Sequence, residues 1–481
     1  MFIGIDIGTS AIKSVLVDET QTILATASRS IAVSRPAPGF SEQDPEAWTT
    51  AVFETIDALK TENPAGVAAV TGIGLSGQMH GATLLGADHR PLRPCILWND
   101  GRSAAECRLL EERWPQLRAV TGNKAMPGFT APKLLWVATH EPDIFARTAL
   151  VLLPKAYVRL ALTGEAIEDM SDASGTLWLD TGRREWSDAA LDATGLKRGQ
   201  MPALAEGSSP AGRLRSDLAA RWGMSGRPIV AGGAGDNAAG AVGLGAIRPG
   251  DAFVSLGTSG VLWATTDRFS PNPERTVHAF CHAVPGVWHQ MGVILSAASS
   301  LSWASGVLGA SEADLLGALG DRPLAPSPAR FLPYLSGERT PHDNATVRGA
   351  FMCLGHETSR DMLVQAVLEG VAFAFADCRD ALKAAGTTIE TADVIGGGSR
   401  SRLWTQILAT VLGFPLTRLA EGETGGAFGA ARLGRLAATG EAPEAVCTPP
   451  RRIETIEPDT NLADAYADAL AHWRSLYPRV A

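Results

Sequence analysis

Near the start of the chain, the apolar run Phe2-Ile3-Gly4-Ile5 predicts a buried strand. Gly8-Thr9-Ser10 turns it, and Ile12 to Val17 leads away with the alternation of a hairpin's second arm. The same string recurs at Phe253-Val254-Ser255-Leu256-Gly257-Thr258-Ser259-Gly260, followed by Val261-Leu262-Trp263-Ala264, so that residues 7–10 overlay residues 256–259. A second pair lies in small-residue helical stretches. Gly240-Ala241-Val242-Gly243-Leu244-Gly245 overlays Gly429-Ala430-Ala431-Arg432-Leu433-Gly434. Glycine inside a helix costs about 1 kcal/mol relative to alanine, so its repetition predicts a helix pressed against another backbone. The two pairs occur in the same order, which predicts an internal duplication.

Strand patterns alternate with helical ones, as in Ala392 to Ile395, then Gly396-Gly397-Gly398, then Leu403 to Leu412. This predicts mixed α/β layers. The turn signal Arg248-Pro249-Gly250 precedes the second repeat and marks a boundary. The expected partition is a lobe over 1–248, a second over 249–440 and a C-terminal extension over 441–481, with a ligand cleft between the lobes.

The 481 residues suffice for roughly two to four domains. With 45% hydrophobic residues, 19% charged and 51 glycines, the chain can bury large cores and bring backbone close to other groups. A formal net charge of −9 argues against nucleic acid and anionic membrane as partners and favours a small molecule. Six scattered cysteines without a C-x-x-C give neither a disulfide framework nor a zinc ribbon, which fits a reducing compartment. Asp6 interrupts the N-terminal apolar run, no basic stretch precedes it, and no apolar stretch reaches about 18 residues. A cytoplasmic location is expected.

The chemistry concentrates in small-residue turns. Each GTS turn offers backbone N–H groups and hydroxyls (Thr9, Ser10, Thr258, Ser259) where phosphate oxygens can approach. One copy alone reads as an ordinary hairpin turn, whereas two, one per lobe, favour a nucleotide tail held from both sides. An acid beside phosphates repels them unless a cation intervenes, so Asp6 is a candidate Mg²⁺ partner, directly or through water. Gly396-Gly397-Gly398-Ser399 opens another helix, suited to an anion or else a plain loop.

No G-x-x-x-x-G-K-[ST] occurs. Gly72-Ile73-Gly74-Leu75-Ser76-Gly77 matches G-x-G-x-x-G, but a strand and turn are predicted after it where a dinucleotide fold needs a helix. In Gly232-Gly233-Ala234-Gly235-Asp236-Asn237, the acid follows a flexible turn at a helix start, where it can cap the helix, serve chemistry, or do both. His278-Ala279-Phe280-Cys281-His282 has metal-like spacing but reads as a strand with a packing role. His80, after Met79 and before Gly81, follows a glycine-rich turn where a polar ring either serves structure, the commoner role for such a residue alone, or hydrogen-bonds a sugar hydroxyl.

Read together, these strings resemble the FGGY family of carbohydrate kinases, within the sugar kinase, hsp70 and actin superfamily. The resemblance rests on IGIDIGTS at the start, SRPAPGFSEQDPEAW from Ser34, GQMHGATLL from Gly77, LRPCILWNDGR from Leu92 and TGNKAMPGFTAPKLLW from Thr121. SLGTSG from Ser255, FLPYLSGERTPH from Phe331 and IGGGSRS from Ile395 extend it to about Leu436. The GTS and GGG elements mark only the superfamily, while GQMHGATLL with WNDGR is more specific.

The resemblance implies a two-lobed, actin-like ATPase fold of duplicated ribonuclease H-like domains with a central cleft. It also implies transfer of a phosphoryl group from ATP, with Mg²⁺, to the C5 hydroxyl of D-xylulose. Carried over by position, the base falls on Asp236, sugar contacts on Met79, His80, Asp236 and Asn237, and the metal-associated acid on Asp6. The nucleotide positions are Thr9, Ser10, Gly257, Thr258, Gly397 and Gly398. One departure stands out: related sequences usually set the acid after a three-residue turn, and GGAGDN has one residue more. The alternatives are kinases of the same family acting on ribulose, gluconate or glycerol, and an actin- or chaperone-like ATPase without a sugar substrate. A homodimer is compatible with the resemblance, and the sequence does not fix the oligomeric state.

Overall fold

The computed structural model describes residues 1–321, 325–420 and 425–481. These fall into two compact units. The first comprises Met1–Ile247, Phe280–Trp288 and residues 425–449; the second comprises Arg248–Ala279, the described residues of 289–420, and Pro450–Ala481.

In the first unit, the strands Phe2–Ile7 and Ala11–Val17 form the expected hairpin, Ile5 opposite Ser14, and Ile23–Ser30 lies beside the second arm. Gly72–Gly77 runs parallel to Phe2–Ile7, and Ile229–Ala231 runs parallel to Gly72–Gly77. One face is covered by the helix Pro45–Glu62. Asp44 caps it by accepting from the Glu46 N–H at 3.0 Å, and Pro45 opens it at a position that needs no donor. Trp48, Val52, Ile56 and Leu59 recur at helical spacing, are fully buried, and share one core with Ile3, Ile5, Ile7 and Leu16. No helix follows the G-x-G-x-x-G string, which is itself a strand leading to a turn and the strand Thr83–Leu85, as the sequence reading required.

The second unit repeats the order. Ala252–Leu256 and Gly260–Thr266 form an antiparallel hairpin, with Trp288–Ile294 beside the second arm. Ala392–Ile395 runs parallel to the first arm, and Leu416–Leu419 runs parallel to Ala392–Ile395. A hairpin, a third strand beside its second arm and two parallel strands beside its first is thus the plan of both units, which is the duplication read from the two GTS strings. The helices Arg360–Ala384 and Arg402–Leu412 cover this sheet. Ser359 and Ser401 cap them, and the Trp404 Nε1–H donates across to the Leu368 carbonyl at 3.0 Å. Among the described residues, no helix is long and apolar enough to cross a membrane.

The units are not continuous in sequence and so do not coincide with 1–248, 249–440 and 441–481. The helix Gly426–Thr439 packs in the first unit, and Pro450–Ala481 counts with the second. The reason is backbone-to-backbone contact. A Cβ on Gly4 would lie 1.8 Å from the Ala427 carbonyl oxygen, one on Gly74 would lie 1.7 Å from that of Ala430, and one on Gly429 would lie 1.8 Å from that of Ala239. The overlaid Gly240 differs, because a Cβ there would meet no atom within 4 Å. Only one glycine of that aligned pair is compelled by contact.

This asymmetry gives a paired expectation. Gly74→Ala overpacks a site with no side chain to yield, and should cost about 3 kcal/mol or more. Gly240→Ala should leave stability unchanged or raise it by about 0.5 to 1 kcal/mol through helix propensity. Urea titration measures both; equal midpoints for the two variants would contradict the contact argument.

Candidate functional site

The loop that delivers Asp236 owes its shape to one inserted residue. Ile229 and Val230 pair with Gly72 and Ile73, and continuing that register would set Gly233 opposite Ser76. Instead Ala234 pairs with Ser76 and Gly235 with Gly77. The additional residue of GGAGDN is therefore absorbed as a bulge at Gly232-Gly233. Gly233 takes a left-handed φ of 74°, and a Cβ there would meet the Leu75 carbonyl oxygen at 2.3 Å.

The helix Asp236–Leu244 begins immediately after, with Gly235 at its N-cap position. Asp236 is thus a first-turn acid rather than the cap. Its Oδ1 accepts from the Asn237 backbone N–H at 2.7 Å and from Asn237 Nδ2 at 2.9 Å. Asp236 presents surface to water while protein surrounds it on most sides, and desolvation followed by the charge of Asp6 pushes it up to about 7.

Asp6 lies one residue before the end of the first strand, and its Oδ1 accepts from Ser76 Oγ at 2.7 Å. Burial raises its proton affinity, partly offset by Ser76 and by Lys13. A Cβ on Gly426 would lie 2.7 Å from Ser76 Oγ and 2.8 Å from Asp6 Oδ1, so the start of the late helix stands over this carboxylate. The Asp6 charge in turn raises the proton affinity of Asp236, and a carboxylate oxygen in a partly desolvated place is a hard donor of the kind that fits a divalent cation.

Met79 and His80 follow the strand Gly72–Gly77. Met79 is buried, and a Cβ on Gly235 would lie 2.8 Å from its Cγ and Sδ, so it packs beneath the loop before Asp236. His80 adopts a left-handed φ of 69°. Its carbonyl accepts from Lys133 Nζ at 2.7 Å and Thr130 Oγ1 at 3.2 Å, which holds this unusual backbone in place. The ring meets Phe129 edge-on at 4.8 Å between centroids, and Nδ1 lies 2.6 Å from the Gly175 carbonyl oxygen. A carbonyl can only accept, so Nδ1 carries a proton and donates to it.

Lys133 was not singled out in the sequence. A lysine inside the apolar run Ala131-Pro132-Lys133-Leu134-Leu135 was the available signal. It is fully buried, and desolvation pushes it down to about 7.

At the first GTS turn, Thr9 Oγ1 donates to Gln78 Oε1 at 3.0 Å and accepts from Trp98 Nε1 at 2.9 Å. Its one hydroxyl proton is thereby committed inside the protein, while Ser10 is exposed. Gln78 Nε2 continues to Gln43 Oε1 at 2.8 Å, and Gln43 Nε2 returns to the Thr9 carbonyl at 2.6 Å. The turn is thus tied to the residue before Met79. In the second unit, Gly396 has a φ of 90° and a Cβ on it would lie 2.7 Å from the Leu256 carbonyl, so the GGG turn lies against the second GTS strand. Gly257, Thr258 and Gly397 are open there, whereas Gly398 is buried over Leu256 and Trp404. The structure brings Asp6, Met79, His80, Asp236 and Asn237 into the first unit with the Thr9-Ser10 turn. It brings Gly257, Thr258, Gly397 and Gly398 together in the second.

His282 is structural, as its strand pattern suggested. Nε2 donates to the Ala246 carbonyl at 3.1 Å, Nδ1 accepts from the Val284 N–H at 3.2 Å, and burial pushes the ring down to about 4. The buried acids Glu168, Asp169 and Asp172 converge behind the Asp236 loop, and their cation is the Lys155 ammonium, at 2.6, 2.7 and 3.5 Å.

Comparison with known proteins extends this geometry to the whole chain. Residues 1–243 match the N-terminal domain of the FGGY family of carbohydrate kinases, and residues 252–438 match its C-terminal domain. A xylulose kinase of Escherichia coli (strain K12) is 49% identical over 482 residues, covering 100% of this chain and 99% of the relative. One of Bacillus subtilis (strain 168) is 36% identical over 434 residues, with 90% and 87% covered. The crystal structure of a xyloylose kinase from Brucella ovis superposes with a TM-score of 0.97 at 56% identity, covering 99% of each chain. The chain therefore belongs to the FGGY family of carbohydrate kinases, with the two-domain mixed α/β fold of that family.

Proposed function

We propose that the protein transfers the γ-phosphoryl group of ATP to the C5 hydroxyl of D-xylulose in the cytoplasm, giving D-xylulose 5-phosphate and ADP. The observation that carries this reading is the packing of Met79 beneath Gly235, which sets Asp236, pushed up to about 7, next to the strand end that bears the anchored imidazole of His80. The substrate assignment draws on the identity to the Escherichia coli xylulose kinase over the full chain.

In this reading, the His80 ring hydrogen-bonds a sugar hydroxyl, and Asn237 orients both the sugar and the Asp236 carboxylate. Asp236 accepts the C5 hydroxyl proton as the oxygen bonds to phosphorus, which leaves the β-phosphate oxygen as leaving group on ADP. In the first unit the Thr9-Ser10 turn, and in the second the Gly257-Thr258 and Gly397-Gly398 turns, each offer backbone N–H groups suited to phosphate oxygens of the nucleotide. Mg²⁺, when bound, neutralises phosphate oxygens, and Asp6 would hold it directly or through water. Phosphoryl transfer of this kind depends mostly on positioning and charge stabilisation.

The direct test is coupled ADP release with D-xylulose, ribulose, gluconate, glycerol and no sugar. A marked preference for D-xylulose supports the assignment, preference for another sugar moves it within the family, and equal ADP release without sugar removes the kinase reading.

Asp236→Asn keeps the shape but cannot accept the proton, so kcat should fall at least about a hundredfold while sugar and ATP affinities change far less. Because the carboxylate must be ionised to act and is pushed up to about 7, kcat/KM of the unmodified enzyme should decline as pH falls below about 7. An acid limb in the ordinary carboxylate range would contradict the assignment.

His80→Asn tests the sugar contact without straining the backbone, since asparagine tolerates a left-handed φ. The sugar KM should rise roughly tenfold, the size of one lost hydrogen bond, with ATP KM unmoved. Unchanged sugar kinetics would return His80 to a packing role.

For Asp6→Asn, turnover should drop by about a hundredfold or more, the size usual for loss of one electrostatic stabiliser. Sugar affinity by calorimetry should stay close to native. Normal turnover at limiting Mg²⁺ would exclude the metal role.

A further inference from the structure

We propose that Ser171, backed by Asp169 and Lys155, is the positioning residue that sets the Asp236 carboxylate for phosphoryl transfer; this rests on the reading of Asp236 as the base. Between Ala231 and Asp236 the loop consists of Gly232, Gly233, Ala234 and Gly235 and has no long side chain to anchor itself. It is held through its backbone from two other elements. The Arg159 guanidinium, on the helix Pro154–Thr163, donates to the carbonyls of Ala231 and Gly232 where the loop begins. Where it ends, the Gly235 N–H donates to Ser171 Oγ at 3.1 Å, one residue before Asp236.

The direction of that second bond is fixed. Ser171 has a single hydroxyl proton, and it goes to Asp169 Oδ1 at 2.5 Å, so the oxygen faces Gly235 as an acceptor. Asp169 cannot swing away. Oδ1 also accepts the N–H groups of Ser171 at 2.8 Å and Asp172 at 3.2 Å, and Oδ2 is ion-paired to Lys155 Nζ at 2.7 Å. Every member of this chain is at most 1% exposed. Lys155 thus fixes Asp169, Asp169 fixes the Ser171 hydroxyl, and the hydroxyl fixes the peptide that carries Asp236. Preorganisation of this kind acts on rate, because a misplaced carboxylate still permits substrate to bind.

A double-mutant cycle tests the proposal. Ser171→Ala in the otherwise native enzyme should lower kcat roughly tenfold, with sugar and ATP KM within about twofold. In the Asp236→Asn background, where no base remains to be positioned, the same change should lower kcat by less than about twofold. Equal loss in the two backgrounds, or native kcat in Ser171→Ala, would overturn the proposal. Near-native kcat in Asp236→Asn alone would instead remove the base reading, so the two failures are separate. If Ser171→Ala does not fold, Ser171→Cys, which keeps a side chain there but accepts poorly, replaces it in the cycle with the same expectations.

Discussion

The first unit depends on direct contact between the backbone of one helix and the backbones of two strands. Side chains normally keep a helix about 10 Å from a sheet, and no such spacer exists where Gly426–Thr439 crosses Phe2–Ile7 and Gly72–Gly77. Gly4, Gly72 and Gly74 on the strands face Ala427, Ala430 and Gly434 on the helix. The close approach sets Gly426 against Asp6 and Ser76, so the geometry around the first carboxylate follows from methyl groups missing on the strands opposite helix positions one, four and eight residues further along. Sheet and helix are locked in register by glycine, which tolerates no slippage by a bulkier residue.

A second constraint is electrostatic. Lys155 and three carboxylates are buried together, which burial alone would strongly disfavour. Burial would lower Lys155, but Asp169, Glu168 and Asp172 outweigh it and push the ammonium up. Desolvation in turn raises the proton affinity of Glu168 and Asp172, while the neighbouring Lys155 ammonium opposes that rise. Such an arrangement is costly relative to an apolar core, and its return is geometric: it fixes the orientation of groups that hold neighbouring peptides.

Much of this was legible in the sequence. The paired GTS strings gave the hairpin at the head of each unit and the duplicated strand plan, because identical turn chemistry at the same place in a strand imposes the same local geometry. The small-residue stretches correctly announced backbone contact, although Gly240 shows that composition overstates it. Asp236 and the turn before it were visible as well, and the additional residue in that turn found its explanation in a strand register that no local pattern encodes. The assignment of Gly426–Thr439 to the first unit was hidden for the same reason, since its partners are hundreds of residues away. Lys133, Ser171 and Gln78 were missed because their importance lies in bonds to distant peptides: Lys133 reaches a carbonyl 53 positions earlier, and Ser171 accepts from an amide 64 positions later.

The discontinuity of the first unit also bears on how the protein is made. Its main segment ends at Ile247, yet the helix that covers Gly4 and Gly74 begins at Gly426, about 180 residues later. At the usual pace of about 5 to 20 residues per second, a ribosome needs on the order of ten to forty seconds to deliver it. Throughout that interval the emerging N-terminal sheet has one glycine-lined face uncovered, while the second unit's hairpin and long helix are already being synthesised. Folding of the two units is consequently interleaved in time, and the nascent chain carries an open sheet surface until its own late helix arrives.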